Sequence, residues 1–140
     1  MINVFGVSHR FFHFPEKPNA PIDLFAVNNS IQPTSLYLQW EDEMDYYTME
    51  GVSPPKVIMY LLEYSLQSSS NPFSIKIEIP HDSDKLKQIQ VTELRPASRY
   101  VFRIRGINSA GIGSPSKVLE IWTKSIPPSV APFNVSVSLV

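Results

Sequence analysis

Cysteine is absent from the 140 residues, which excludes a disulfide scaffold, a thiolate zinc site and a cysteine nucleophile together. Glycine is scarce, five residues against thirteen prolines, a balance that favours extended segments and tight corners over long helices. Charge of one sign is also missing. With a formal net charge of −1, no overall field draws in nucleic acid or an anionic membrane, and neither is expected as a partner. No apolar run approaches the roughly 18 residues of a membrane span, so no direct membrane contact is expected of this segment. The apolar start is broken by His9, Arg10 and His13, leaving Ile2 to Val7 uninterrupted. That is shorter than the roughly 7–15 residues of a signal-peptide core. The chain is therefore expected either not to be secreted as it stands or to be a piece of something longer.

The signatures of chemistry are missing as well. There is no Gly-x-Ser-x-Gly elbow, no glycine cradle for phosphate and no Arg-Gly-Asp tripeptide. His9 and His13 stand four apart, but Arg10-Phe11-Phe12 and Pro15 make an irregular arm a better reading than a helical ligand pair. Glu41, Asp42, Glu43, Asp45 and Glu50 form an acidic loop without the spacing or glycine of a calcium loop. Asp82-Ser83-Asp84 reads the same way, and His81 is a lone histidine among loop residues. No catalytic residue, cofactor or metal site is expected, and the segment is not expected to be an enzyme.

What is present is alternation. Apolar residues make up 43% of the chain and charged ones 18%, enough to build a core and too little charge for disorder. A two-residue period joins Leu24 and Ala26, then Leu36, Leu38 and Trp40, then Tyr60, Leu62 and Tyr64, then Phe73, Ile75, Ile77 and Ile79. It continues through Ile89 and Val91, Tyr100, Phe102 and Ile104, and Leu119, Ile121 and Thr123. Turn residues separate these runs at Asn28-Asn29-Ser30, at Ser68 to Pro72 and at Asn108 to Gly111. No segment carries a sustained helical stripe. The expected class is all-β, with seven short strands between about Ala20 and Lys124.

Leu94-Arg95-Pro96-Ala97-Ser98-Arg99-Tyr100 leads into one of those strands as a tyrosine corner, whose hydroxyl bonds back to the turn. Joined to Ala20-Pro21, Trp40, Tyr60 to Tyr64 and the Asn108–Ser116 loop, in that order, it resembles a fibronectin type III module over about Pro18 to Lys124. The resemblance implies a seven-stranded antiparallel, immunoglobulin-like sandwich. Glu41 to Val57 is longer than the family usually allows between its second and third strands. The expected layout is an irregular arm over 1–17, the module over 18–124, and a linker plus first strand of a truncated second module over 125–140. The last part rests on a repeat: Pro18 to Val27 lines up with Pro128 to Val137, with Pro21 and Pro132 111 residues apart. The resemblance further implies protein–protein recognition or mechanical spacing in a larger cell-surface, adhesion or receptor protein, placing the segment outside the cell. An intracellular scaffold or an accessory module of a larger enzyme is the alternative.

Trp40, Tyr60, Leu62, Leu94, Tyr100 and Phe102 are expected in the core. By parity, Met59, Leu61, Glu63, Arg103, Arg105, Ile107 and Trp122 face outward on neighbouring strands, a composition that suits contact with a protein partner or an adjacent module. Stacking of Trp122 on Arg103 or Arg105, or its cover by the arm or the next module, is the bland reading. Asn28 and Asn134 head Asn-x-Ser sequons, candidates for glycosylation if the parent chain enters the secretory pathway.

Overall fold

The computed structural model describes residues 16–43 and 55–128. His9, His13, Asp45, Glu50, Asn134 and most of the second half of the repeat lie outside the described residues. Among the described residues, eight strands follow in chain order: β1 (Ile22–Ala26), β2 (Leu36–Glu41), β3 (Met59–Leu66), β4 (Ile75–Pro80), β5 (Gln88–Val91), β6 (Arg99–Asn108), β7 (Gly111–Pro115) and β8 (Leu119–Trp122). They form two sheets, β1-β2-β5 and β4-β3-β6, with β7 and β8 both paired to β6. Every pairing is antiparallel.

The eighth strand arises from a break. Arg105 is opposite Pro115 and Phe102 opposite Leu119, so four steps on one side (115 to 119) match three on β6 (105 to 102). The extra residue is a bulge. Ser116 bridges it: its N–H donates to the Ile104 carbonyl at 2.8 Å, and its Oγ accepts from the Ile104 N–H at 3.0 Å. Asn108 to Ser116, expected as a loop, is thus mostly strand, and the turn shrinks to Ser109-Ala110. Asn108 Oδ1 accepts the Ala110 N–H at 2.8 Å and closes it.

Between the sheets lies the core that the alternation marks. Trp40, Tyr60, Leu62, Leu94, Tyr100 and Phe102 are all buried. Trp40 meets Tyr60 edge to face at 5.2 Å, and Tyr64 stacks on Phe102 at 5.2 Å, geometries that suit the ring quadrupoles. The Trp40 Nε1 atom is buried and has no hydrogen-bond partner among the described residues. One strand expectation fails. Phe73 does not continue the inward phase of β4; it sits in the preceding turn at φ 56°, its N–H donating to Ser65 Oγ at 2.9 Å.

The tyrosine corner forms as expected. Tyr100 Oη accepts the Arg95 N–H at 2.8 Å, and the same bend is tied to the end of the module. Thr123 Oγ1 accepts the Ser98 N–H at 2.9 Å and donates to the Arg95 carbonyl at 2.6 Å. At the other end of β6, Asn108 Nδ2 donates to the carbonyls of Glu16 at 2.8 Å and Pro55 at 3.2 Å. Pro18 crosses Gly113 so closely that a Cβ there would stand 2.2 Å from the Pro18 carbonyl oxygen. Only glycine leaves that path open.

Candidate interaction surface

Strand parity puts the expected surface residues on the outer face of the larger sheet. The register sets Met59 opposite Ile107, Leu61 opposite Arg105 and Glu63 opposite Arg103. Burial corrects the expectation for two of them: Leu61 is 9% exposed and Glu63 4%. Both face outward, but neighbouring side chains close over them. Lys76 Nζ reaches Glu63 Oε2 at 2.6 Å, while Arg103 Nε and Arg105 Nε reach Oε1 at 2.7 and 2.9 Å. Arg105 also donates to the Gly113 carbonyl at 3.0 Å. Phe73, displaced from its expected strand, lies under Arg103 with the guanidinium carbon 4.1 Å from the ring centroid, a cation–π contact.

One carboxylate on β3 therefore fastens three cations, one from β4 and two from β6. Burial pushes the Glu63 carboxyl up, but the hydrogen bonds from Lys76, Arg105 and Arg103 outweigh it and hold the pKa at about 2. At neutral pH the cluster is satisfied. Arg103 and Arg105 both pair with Glu63 across this face, and their side chains are 26% and 24% exposed.

Trp122 differs. It is 62% exposed and sits opposite Arg99, four residues along β6 from Arg103 and so on the order of 13 Å away by strand rise. The cation that stacks on an aromatic here is Arg103, on Phe73, so the expected Trp122–Arg103 or Trp122–Arg105 grouping is not the arrangement found. Arg99 instead pairs with Glu120 beside the tryptophan. Trp122 stands near the end of β6 where the chain leaves, past Thr123 and Lys124. Glu16 to Pro18, where the described chain begins, lies against the opposite end.

A second polar contact was not visible in the sequence. Tyr60 Oη donates to the Asp42 carboxylate, 2.7–2.8 Å from its oxygens, and His81 meets the Tyr60 ring edge-on at 5.6 Å. Burial, then the Asp42 hydrogen bond and charge, drive the tyrosine pKa far above its usual range. The hydroxyl stays protonated and ties the end of β2 to β3. Asp42 lies only two positions past Trp40 in an acidic run, which gave no sign that one member was committed. Among the described residues, no group of three or more His, Cys, Asp or Glu side chains is placed to hold a metal ion.

Two antiparallel sheets, a tryptophan between them and a tyrosine corner define an immunoglobulin-like sandwich. The family model of the fibronectin type III domain matches residues 19–122, and the chain belongs to that family. It is 31% identical over 124 residues to sidekick-1 of Gallus gallus, covering 88% of this chain and 5% of that protein. It is 29% identical over 123 residues to human receptor-type tyrosine-protein phosphatase F, with 88% and 6% covered. A solved structure of the fn3 domain of human contactin 1 superposes with a TM-score of 0.60 at 19% identity, covering 83% of this chain and 87% of that one. The chain thus spans about a twentieth of the length of these curated relatives.

Proposed function

We propose that this module is a non-catalytic protein–protein interaction or spacer unit of a longer cell-surface adhesion or receptor protein, with Trp122 as its principal exposed anchor. The axial path of the chain carries the reading. Glu16 to Pro18 are held at one end of the ten-residue β6 and Thr123 to Lys124 at the other. The strand is roughly 33 Å long at the usual rise. A chain that comes in at one pole and leaves at the other suits modules joined end to end. Trp122 stands at the leaving pole, and Ile126, 63% exposed, follows just before Pro127-Pro128. Tryptophan is enriched where such contacts concentrate their energy. The receptor-type name of one relative supports a surface location. The absence of cysteine also suits a reducing compartment, and an intracellular scaffold is the second reading.

Two measurements test this. Staining of the epitope-tagged parent protein on intact cells should give a surface signal; a signal only after permeabilisation favours the scaffold. In a segment running from Glu16 through the following stretch of the native protein, Trp122→Ser should leave the melting temperature within about 1 °C. It should weaken a contact at that pole by about 2 kcal/mol or more, seen as a broader scattering distance distribution or lost partner binding. Unfolding of the variant would place Trp122 in the core, and unchanged contacts would remove its binding role.

A further inference from the structure

The outward face of the smaller sheet has a different chemistry. Phe25 on β1 and Tyr37 on β2 are 43% and 36% exposed. The register puts Gln39 opposite Phe25, Gln90 opposite Tyr37 and Gln88 opposite Gln39. These five neighbouring positions are two aromatic rings and three amides, none charged. At one end of the face lies Asn28-Asn29-Ser30. The Ser30 N–H donates to the Val27 carbonyl at 3.1 Å, and Asn29 takes φ 64°, the left-handed second position of a type II turn. Asn28 is its exposed first position. The turn continues the ladder, since the Val27 N–H donates to the Tyr37 carbonyl at 2.9 Å. Phe25 precedes Asn28 by three residues on the same ribbon.

We infer that Asn28 carries an N-linked glycan whose first N-acetylglucosamine lies on this face, stacked on Phe25 and Tyr37 and hydrogen-bonded by the glutamine amides. The inference rests on the cell-surface reading above. A pyranose ring presents a face of C–H groups, which matches the electron-rich face of an aromatic ring. Its hydroxyl and acetamido groups find both donors and acceptors in amide side chains. The tether decides the occupant: a sugar joined to Asn28 meets the face at high effective concentration, so a contact too weak for a free ligand forms intramolecularly. The attachment needs a lipid-diphosphate-linked oligosaccharide. The Asn28 amide nitrogen bonds C1 of the sugar, the C1–oxygen bond to the lipid diphosphate breaks, the diphosphate leaves and the amide loses one proton. Transfer takes place on the nascent chain, so the bond from the Tyr37 N–H to Ser30 Oγ, 3.1 Å in the folded module, does not obstruct it.

The test secretes residues 1–140 behind an added signal peptide from cells that keep glycans high-mannose, with Ser136→Ala removing the second sequon. Peptide mass mapping after enzymatic release of the glycan reads occupancy, and endoglycosidase trimming leaves one N-acetylglucosamine on Asn28. The trimmed form should melt within about 1 °C of the full glycoform and roughly 3–6 °C above the sugar-free form. In the Phe25→Ser/Tyr37→Ser variant that gap should shrink to about 1 °C or less. An unoccupied Asn28, or an equal gap in both backgrounds, overturns the inference. If the variant does not fold, proton NMR of the unmutated glycoprotein decides: ring-current upfield shifts of the sugar C–H protons support the stacking, and their absence overturns it. The added signal peptide forces secretion, so failure here leaves the cell-surface reading standing, whereas that reading fails only on the tagged parent protein.

Discussion

At the scale of single residues, the corner shows how one atom can carry a bend. Tyr100 Oη accepts the Arg95 N–H, which has no ladder partner because the chain is turning there. Tyr100→Phe leaves that donor unsatisfied in a part-buried site. The expected loss is roughly 0.5–1.5 kcal/mol, read as a lower urea midpoint with an unchanged slope; an unchanged midpoint would mean that the hydroxyl is solvated. Two residues beside it hold a conformation that suits glycine: Glu93 at φ 60° and Ala97 at φ 50°. A left-handed non-glycine residue costs about 1–2 kcal/mol, and glycine returns part of that as unfolded-chain entropy. Glu93→Gly and Ala97→Gly should each raise stability by about 0.5–1 kcal/mol in denaturant titrations, the opposite of the usual effect of adding glycine to a chain.

At the scale of elements, Glu63 binds β3 to β4 through Lys76 and to β6 through Arg103 and Arg105. Its pKa falls from an ordinary 4.5 to about 2 in the folded module. The folded state therefore holds its proton less tightly than the unfolded chain. The stabilisation is complete above about pH 4.5 and is lost as the pH drops toward about 2, with an upper bound of about 3 kcal/mol. Glu63→Gln should cost about 1–3 kcal/mol at pH 7, because the arginines lose their carboxylate but keep partial access to water. It should also flatten the decline in melting temperature between pH 4.5 and 2. A variant with the same acid slope as the parent would show that other carboxylates set it.

At the scale of the whole molecule, long-range pairing governs behaviour. β3 pairs with β6, some 40 residues away in sequence, as the Glu63–Arg103 contact shows, and the last strands return to the corner through Thr123. No sheet closes until distant segments meet. The module should unfold in a single cooperative step and refold in milliseconds to seconds, as non-local β topologies do. Stopped-flow fluorescence of Trp40 checks this; microsecond folding, or separate transitions by fluorescence and circular dichroism, would contradict it.

The sequence by itself determined the class, the order of the marks and which residues of most strands point between the sheets. A two-residue period is a local property of the backbone, and the buried set of Leu36, Leu38, Trp40, Tyr60, Leu62, Tyr100 and Phe102 follows from it without knowledge of strand order. The corner was legible for the same reason, since its partners lie within five residues of each other. What only the tertiary structure decided is how the outward residues are used. Parity sent Glu63, Leu61 and the two arginines outward, yet the cross-strand register joins Glu63 to both arginines and buries it. Phe73 left its expected phase because a turn carried it under Arg103. Asp42 and Asn108 found partners 18 and 92 residues away. Such contacts depend on register and on which strands lie side by side, and neither is written in the local pattern. Trp122 stood apart from the Glu63 cluster for the same physical reason: its place opposite Arg99, at the far end of β6, is a fact of pairing.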